Sequence, residues 1–115
     1  MSEAKLANLL KKLHYATRSQ RLNWRRLQRR EGGYETTFSV FIARIVEHRI
    51  SRDDFEHVVT VCDKQGVVIE EITELRFNRP EPANEMRTYL REIYNCAVRQ
   101  SATSEEASDS NLDGL

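Results

Sequence analysis

The chain has 115 residues, which is room for one domain with a modest hydrophobic core. Its apolar fraction of 39% is low and its charged fraction of 31% is high for a globular domain, a mix that predicts a thin, two-layer core. No stretch approaches the roughly 20 apolar residues of a transmembrane helix, and two cysteines are too few for a disulfide framework.

The net charge is zero, but the charges are unevenly distributed along the chain. Residues 1–30 hold nine Lys or Arg and one acid, Glu3, so this segment carries +8 and the remainder carries −8. A neutral chain with separated signs favours attraction within one copy or between two copies.

The first predicted element is an amphipathic helix over residues 3–17. Its apolar stripe follows the i, i+3, i+4, i+7 spacing of one helical face and consists of Leu6, Leu9, Leu10 and Leu13. Ser2 is the predicted N-cap, and Glu3 suits the positive end of the helix dipole.

Alternating apolar residues predict strands through the middle of the chain. A short strand is expected over about 23–29, followed by a turn at Glu31–Gly33 and a strand from Tyr34. The alternation changes phase near Ser39, which indicates either a β-bulge or two strands that meet there.

The next predicted pair of strands is joined by a tight turn. Residues 49–54 are polar and predict a loop, and Phe55–Cys62 predicts a strand. Asp63–Gly66 has the composition of a four-residue hairpin turn, after which Val67–Thr73 returns as the partner strand.

The last part of the chain predicts a connector, a helix and a tail. Asn78–Pro82 contains two prolines and predicts the connector, while residues 83–100 show the clearest helical periodicity of the chain. Residues 101–115 carry four acids and no base, and they predict a disordered acidic tail. The predicted fold is therefore a single α+β domain over residues 1–100: an N-terminal helix, an antiparallel meander of about four strands, and a C-terminal helix, with both helices on one face.

No catalytic motif occurs, so the sequence predicts a protein that is not an enzyme and that has no cofactor or metal site. Adjacent acids such as Asp53–Asp54 and Glu70–Glu71 are expected on solvated faces. Structural or surface roles are predicted for His14, His48 and His57. Cys62 and Cys96 are expected to be small buried side chains. Nothing in the sequence places a cation beside either thiol, so no reactivity is claimed for them.

One run of residues has a composition that suits an anionic partner. Six arginines fall within thirteen residues, interleaved with Trp24 and close to Tyr15: Arg18, Arg21, Arg25, Arg26, Arg29 and Arg30. Arginine and aromatic side chains together fit nucleic-acid backbones and bases. The neutral chain favours the alternative, in which these arginines pair internally with carboxylates of neighbouring strands (Glu35, Glu56, Glu70 and Glu71) or with the acidic tail, and Trp24 belongs to the core.

The order of features resembles a group of small uncharacterised bacterial α+β proteins carried on mobile gene cassettes and phages. The shared features are a leucine-rich helix that ends at Ala16–Thr17, the Leu22-Asn-Trp24 stretch, and the segment from Phe55 to Ile72 before a closing helix. The resemblance covers about residues 5–98 and implies the fold described above. It implies no functional residues, because this group has no assigned chemistry.

The function expected from these observations is a non-catalytic binding or regulatory module. Its predicted partner is a second copy, as a homodimer, or another protein; the alternative is a nucleic-acid-binding accessory protein that uses the arginine-rich segment. The chain start lacks the continuous apolar region of a secretory signal, and this predicts a cytoplasmic protein with no membrane partner.

Overall fold

The computed structural model describes residues 2–30, 32–74 and 80–113. Within these residues, one helix precedes and one helix follows a run of five strands along the chain. The elements are α1 (Glu3–Arg18), β1 (Arg25–Arg26), β2 (Tyr34–Phe38), β3 (Phe41–Ser51), β4 (Asp54–Cys62), β5 (Val68–Ile72) and α2 (Pro80–Asp113). The strands form one antiparallel sheet in the order β1-β2-β3-β4-β5, so the meander and the α+β class are confirmed.

Helix α1 forms as its sequence predicts. Ser2 is the N-cap, and its hydroxyl accepts a hydrogen bond from the backbone N–H of Lys5 at 3.3 Å. The helix buries Leu6, Leu10 and Leu13, which lie one helical turn apart.

The two helices lie side by side and run in the same direction, since Lys11 pairs with Glu85 and Arg18 pairs with Glu92. Their apolar faces share one core with the sheet residues that point toward them. On the central strands these are Ala43, Ile45, Val59 and Val61. Both helices therefore cover one face of the sheet, as predicted.

The change of phase near Ser39 marks two strands. Phe38 pairs with Phe41, and the turn between them consists of Ser39 and Val40, with Ser39 at φ 56°. The predicted first strand is confirmed in its pairing with β2 but has only two paired residues, so the sheet has five strands where about four were expected.

The loop predicted over residues 49–54 is wrong. β3 continues to Ser51 and β4 begins at Asp54, so Arg52 and Asp53 form the turn of a hairpin. Polar composition misled the prediction because this end of the hairpin is exposed on both faces, and backbone pairing alone sustains it. Arg49 reinforces the turn by donating from its guanidinium to the carbonyls of Ser51 and Arg52.

The turn at Asp63–Gly66 is confirmed. The Asp63 carboxylate accepts the backbone N–H groups of Gln65 and Val67, both at 2.9 Å, and Gly66 has a φ of 87°. Gly66 thus occupies a conformation that favours glycine.

Helix α2 begins at Pro80, within the predicted connector, whose residues 78 and 79 lie outside the described part of the chain. Pro80 and Pro82 are tolerated there because the first turn of a helix needs no internal N–H donors. Ser101 is buried, and its hydroxyl donates to the carbonyl of Trp24 just before β1, so packed residues extend beyond the predicted boundary at 100. Helical backbone continues to Asp113, and the disordered tail stays a prediction.

Candidate functional site: an arginine-rich segment and an exposed strand edge

The arginine-rich segment, residues 18–30, begins in the last turn of α1, continues through β1 at one edge of the sheet, and enters the connection to β2. All six arginines have exposed side chains: Arg18, Arg21, Arg25, Arg26, Arg29 and Arg30. The segment turns Leu22 and Trp24 into the core, and the arginines around them therefore face outward.

Two of these arginines form ion pairs with carboxylates of other elements. Arg18 Nη1 lies 3.0 Å from Glu92 Oε2 on α2, and Arg25 Nη2 lies 2.7 Å from Glu35 Oε1 on β2. Glu35 was among the predicted internal partners, and Glu92 was not. Internal pairing is thus confirmed for part of the segment.

Glu35 is the centre of a charged row on the sheet face that the helices do not cover. The register places Arg25, Glu35 and Arg44 opposite one another on successive strands, and Arg44 Nε donates to Glu35 Oε2 at 2.8 Å. Burial alone would raise the pKa of Glu35, but the hydrogen bonds and charges of the two arginines outweigh it and hold that pKa below its usual value.

Arg44 was missed by the sequence analysis because the strand boundary was left open. A turn at Ser39–Val40 pairs every residue of β2 with the β3 residue equally far from the turn, so Glu35 must face Arg44. A sequence analysis that placed the turn at Ser39–Val40 would have predicted the contact between Glu35 and Arg44.

The other four arginines lie on the same edge of the sheet or at the end of α1. The Arg21 guanidinium lies over the Tyr15 ring, 5.5 Å from its centroid, and Arg29 Nε donates to the Gly32 carbonyl at 3.1 Å. Arg26 lies on β1 and Arg30 in the connection that follows it. The segment therefore combines ion-paired arginines with arginines on the outer surface of this edge.

Trp24 belongs to the core, as expected, and it is 3% exposed. Its ring N–H donates to Thr17 Oγ1 at 3.2 Å, and its backbone N–H donates to Gln100 Oε1 at 2.8 Å. Gln100 also donates to the carbonyl of Leu22, and Ser101 donates to that of Trp24. Side chains of α2 thus bind backbone groups of Leu22 and Trp24, where the chain enters the edge strand β1.

The uncovered sheet face is less exposed than its position suggests. No described element lies over it, yet Val46, Val58 and Cys62 on this face are buried, because neighbouring long side chains such as Arg44 and the ion-paired Glu35 surround them. This face therefore exposes little apolar surface around Val58.

Exposed apolar residues lie instead at the β5 edge of the sheet. Val67, Val68 and Ile69 are consecutive and are 61%, 57% and 45% exposed. Within the described ranges, β4 is the neighbouring strand of β5, and no strand there pairs with the other edge of β5.

Two histidines join different elements of the fold. His14 Nε2 on α1 donates to Glu92 Oε2 at 2.5 Å and packs on the Tyr89 ring, and His57 Nε2 on β4 donates to Glu47 Oε2 at 2.9 Å. Both contacts are consistent with structural roles, the prediction made for these residues. His48 is exposed at the outer part of β3.

The His57 region also contains a small cavity of about 20 Å³ between β4 and the start of α2. Its lining comprises Phe55, Glu56, His57, Glu74, Arg87 and Leu90. Arg87 forms an ion pair with Glu74 at its rim. Tyr94 packs beside His57, and burial, followed by the nearby Glu47 charge, raises the pKa of Tyr94. A cavity of this volume holds about one water molecule, whereas metabolite pockets are typically about 300 Å³ or more.

Both cysteines are free thiols, and each has an arginine close by. Arg44 lies near enough to buried Cys62 to interact with it electrostatically, and Arg99 Nη2 donates to Cys96 Sγ at 3.6 Å. Neither contact was indicated by the sequence alone, because strand register and helix spacing bring these side chains together.

The described residues contain neither a metal-binding cluster nor a membrane-spanning helix. No three or more His, Cys, Asp or Glu side chains in that part of the chain are arranged to hold a metal ion. Likewise, none of the helices there is both long and apolar enough to cross a bilayer.

Comparison with known proteins found no matching family model, no matching curated protein and no matching solved structure. The resemblance to proteins of gene cassettes and phages stays a prediction. Function must therefore be argued from the geometry of this chain.

Proposed function

We propose that this protein is a non-catalytic binding module that associates with protein surfaces, and with a second copy of itself first. The observation that carries the proposal is the exposed run Val67, Val68 and Ile69 at an open strand edge. Contiguous apolar residues on a soluble domain are commonly interaction sites, and an open edge adds backbone hydrogen bonds to the contact.

The net charge of the chain favours self-association, because copies with no net charge do not repel one another at long range. The chain has no net charge at neutral pH, so two copies approach without a long-range barrier.

The free cysteines Cys62 and Cys96 fit a reducing compartment, and on this ground we propose that the protein is cytoplasmic.

Static light scattering across about 5–500 μM protein tests this function, a range chosen to cover the micromolar affinities of modest interfaces. We expect the weight-average mass to rise from that of one 13.5 kDa chain toward twice that value. Strictly monomeric behaviour over the whole range, together with no partner recovered by affinity capture, would contradict the proposal.

A second function, binding of nucleic acid, is favoured by the arginines on the outer surface of the β1 edge. Arg21 lies over the exposed Tyr15 ring, and Arg29 and Arg30 project from the connection after β1. Guanidinium groups and an exposed ring on one edge can contact phosphates and stack on bases.

Binding of a labelled single-stranded oligonucleotide at 20–300 mM salt tests the second function. Affinity should fall steeply with salt, and R21A/R29A/R30A should weaken it at least tenfold at low salt because about three phosphate contacts are lost. A matched control, K5A/K11A/K12A, removes three charges from α1 and should have a smaller effect. Absence of binding to DNA and RNA at low salt would exclude this function.

A further inference from the structure

The start of β5 has a composition that suits pairing with itself. Val67, Val68 and Ile69 are exposed although successive residues of a strand point to opposite faces, so this segment lacks cover on both faces. An apolar segment with both faces open is satisfied by another strand at its edge more readily than by a helix on one face.

Charged residues lie on both sides of this apolar run, with opposite signs. Lys64 precedes it in the exposed turn, and Glu70 and Glu71 follow it. The Asp63 carboxylate is engaged by two backbone N–H groups of the turn, which leaves Lys64 as the charge that the turn presents outward. The order along the chain is therefore positive, apolar, negative.

We propose that a second copy of this chain docks on β5, antiparallel and related by a two-fold axis at Val68. This arrangement places each apolar run against the other and Glu71 of each copy opposite Gln65 of the other. The long side chain of Lys64, next to Gln65 in the turn, is then close to that carboxylate, so the segment is complementary to itself in both apolarity and charge. The inference rests on the proposed function, since it assigns the surface and symmetry of self-association.

The β1 edge at the opposite side of the sheet is a less suitable partner for β5 than a second β5 strand. A head-to-tail contact between the acidic β5 edge and the arginine-rich segment would also match charges. However, Gln100 and Ser101 already bind backbone groups of Leu22 and Trp24 just before β1, so an added strand could not extend along that part of the edge. An isologous β5 contact also closes after two copies, whereas a head-to-tail contact continues into fibres or rings.

The pairing of β5 with β4 limits what else can dock there. Val61 pairs with Glu70 and Cys62 pairs with Val68, so Ile69 forms a bulge without an opposite residue on β4. A bulge twists a strand edge and disfavours indiscriminate pairing. The side chains of the apolar run must therefore contribute to recognition, which favours a specific partner such as the same segment.

Cysteine cross-linking tests the proposed axis directly. In a C62A/C96S background, which removes the Cys62 thiol that faces residue 68 from β4, V68C places two thiols opposite each other across the axis. Their Cα separation is that of facing residues in antiparallel strands, about 4.5–5.5 Å, which a disulfide spans. V40C is the matched control, because Val40 is equally exposed, at 57%, but lies in the β2–β3 turn. We expect V68C to form disulfide-linked dimer at least tenfold faster than V40C.

Charge exchange provides the second arm of the test. K64E and E71K should each raise the dimer dissociation constant about threefold to tenfold, and the double variant K64E/E71K should restore it, because both changes meet across the axis. R26E/R30E should leave dimerisation within about twofold, while a head-to-tail contact predicts a strong loss.

Each outcome decides one statement. A monomeric wild-type chain overturns self-association and this interface together. A dimer whose V68C and V40C variants cross-link at equal rates, or that K64E/E71K does not restore, overturns the β5 interface alone.

Discussion

Glu35 is held between two guanidinium groups and is 8% exposed, while its partners reach solvent to different extents. The Arg25 side chain is 77% exposed and that of Arg44 is 28% exposed. Loss of the carboxylate would leave Arg44 partly desolvated beside another positive charge, but both guanidinium groups can move toward water. The cost should therefore be well below that of breaking a fully buried pair.

We predict that E35Q destabilises the protein by about 1–2 kcal/mol at pH 7. Because the folded-state pKa of Glu35 lies below its usual value of 4.5, its contribution is present above that value and is lost as pH falls through the lower, folded pKa. Urea unfolding at pH 7 and pH 3 measures this, and the difference between E35Q and wild type should shrink at pH 3. E85Q, on the exposed side of α2, is the control; an equal effect of both variants would contradict the prediction.

Thr17 joins the first helix to the core tryptophan through its hydroxyl group. Oγ1 donates to the Leu13 carbonyl at 2.7 Å and accepts the Trp24 ring N–H. T17V keeps the shape of the side chain but leaves a buried N–H without its acceptor, and it should cost about 1–3 kcal/mol. T17S keeps the hydroxyl and should cost about 1 kcal/mol for its lost methyl. Fluorescence of Trp24, the single tryptophan, reports urea unfolding of both variants, and a smaller loss in T17V than in T17S would contradict this role.

Two turns of the sheet depend on glycine for different reasons. At Gly66, with φ 87°, an added Cβ meets open space, so only the backbone conformation is strained. At Gly33, with φ 102°, an added Cβ would lie 2.7 Å from Val46 Cγ1 and 2.9 Å from the Ile45 carbonyl oxygen. The second position is constrained by packing as well as by φ.

We predict that G66A costs about 1 kcal/mol and that G33A costs about 2–4 kcal/mol. G66N should recover part of the loss, since asparagine tolerates positive φ better than alanine. Thermal unfolding measured by circular dichroism compares the three variants. Equal melting temperatures for G66A and G33A would show that the contact with β3 is relieved at little cost.

The elements that the sequence predicted well are those with a local physical signal. Helix α1 has an apolar stripe and an N-cap, and the Asp63–Gly66 turn has an acid and a glycine at the required positions. The hairpin end at residues 49–54 had no such signal. Its strands are sustained by pairing with each other, which composition does not report.

The candidate site was predictable only in part. The arginine-rich segment is evident in the sequence, and Trp24 was correctly assigned to the core. The contacts of Arg18 with Glu92 and of Arg44 with Glu35 join elements whose register or docking had to be known first. The exposed β5 edge depends on which strand ends the sheet, and this is a property of the whole topology.

At the scale of the whole molecule, the folded contacts reach Ser101 and the acidic residues follow. We predict that the free energy of unfolding of a chain of residues 1–102 differs from that of the full chain by no more than about 0.5 kcal/mol, as expected for removal of residues outside the core. A chain of residues 1–98 lacks Gln100 and Ser101 and should lose about 2–3 kcal/mol. Urea unfolding compares the two, and a large loss in the 1–102 chain would show that the acidic segment belongs to the folded unit.

The same shortened chain tests the balance of charge. Residues 103–115 contain four acids and no base, so their removal changes the net charge from zero to +4. Affinity for a polyanion such as heparin should rise, and it should fall again with salt. Elution from a heparin column at an unchanged salt concentration would show that the acidic residues do not weaken polyanion binding by the arginines.

The bonds from Gln100 and Ser101 to Leu22 and Trp24 join residues 76 to 78 positions apart, and α1 is packed chiefly against α2. The β2–β5 hairpins link neighbours in sequence and can form early, but the Leu6, Leu10 and Leu13 stripe lacks the part of its cover that α2 supplies until the last helix arrives. During synthesis at about 5–20 residues per second, α1 is therefore exposed for several seconds after it leaves the ribosome. Closure of the chain by α2 should be the slow folding step, and nascent chains that end before it are the forms most in need of chaperones.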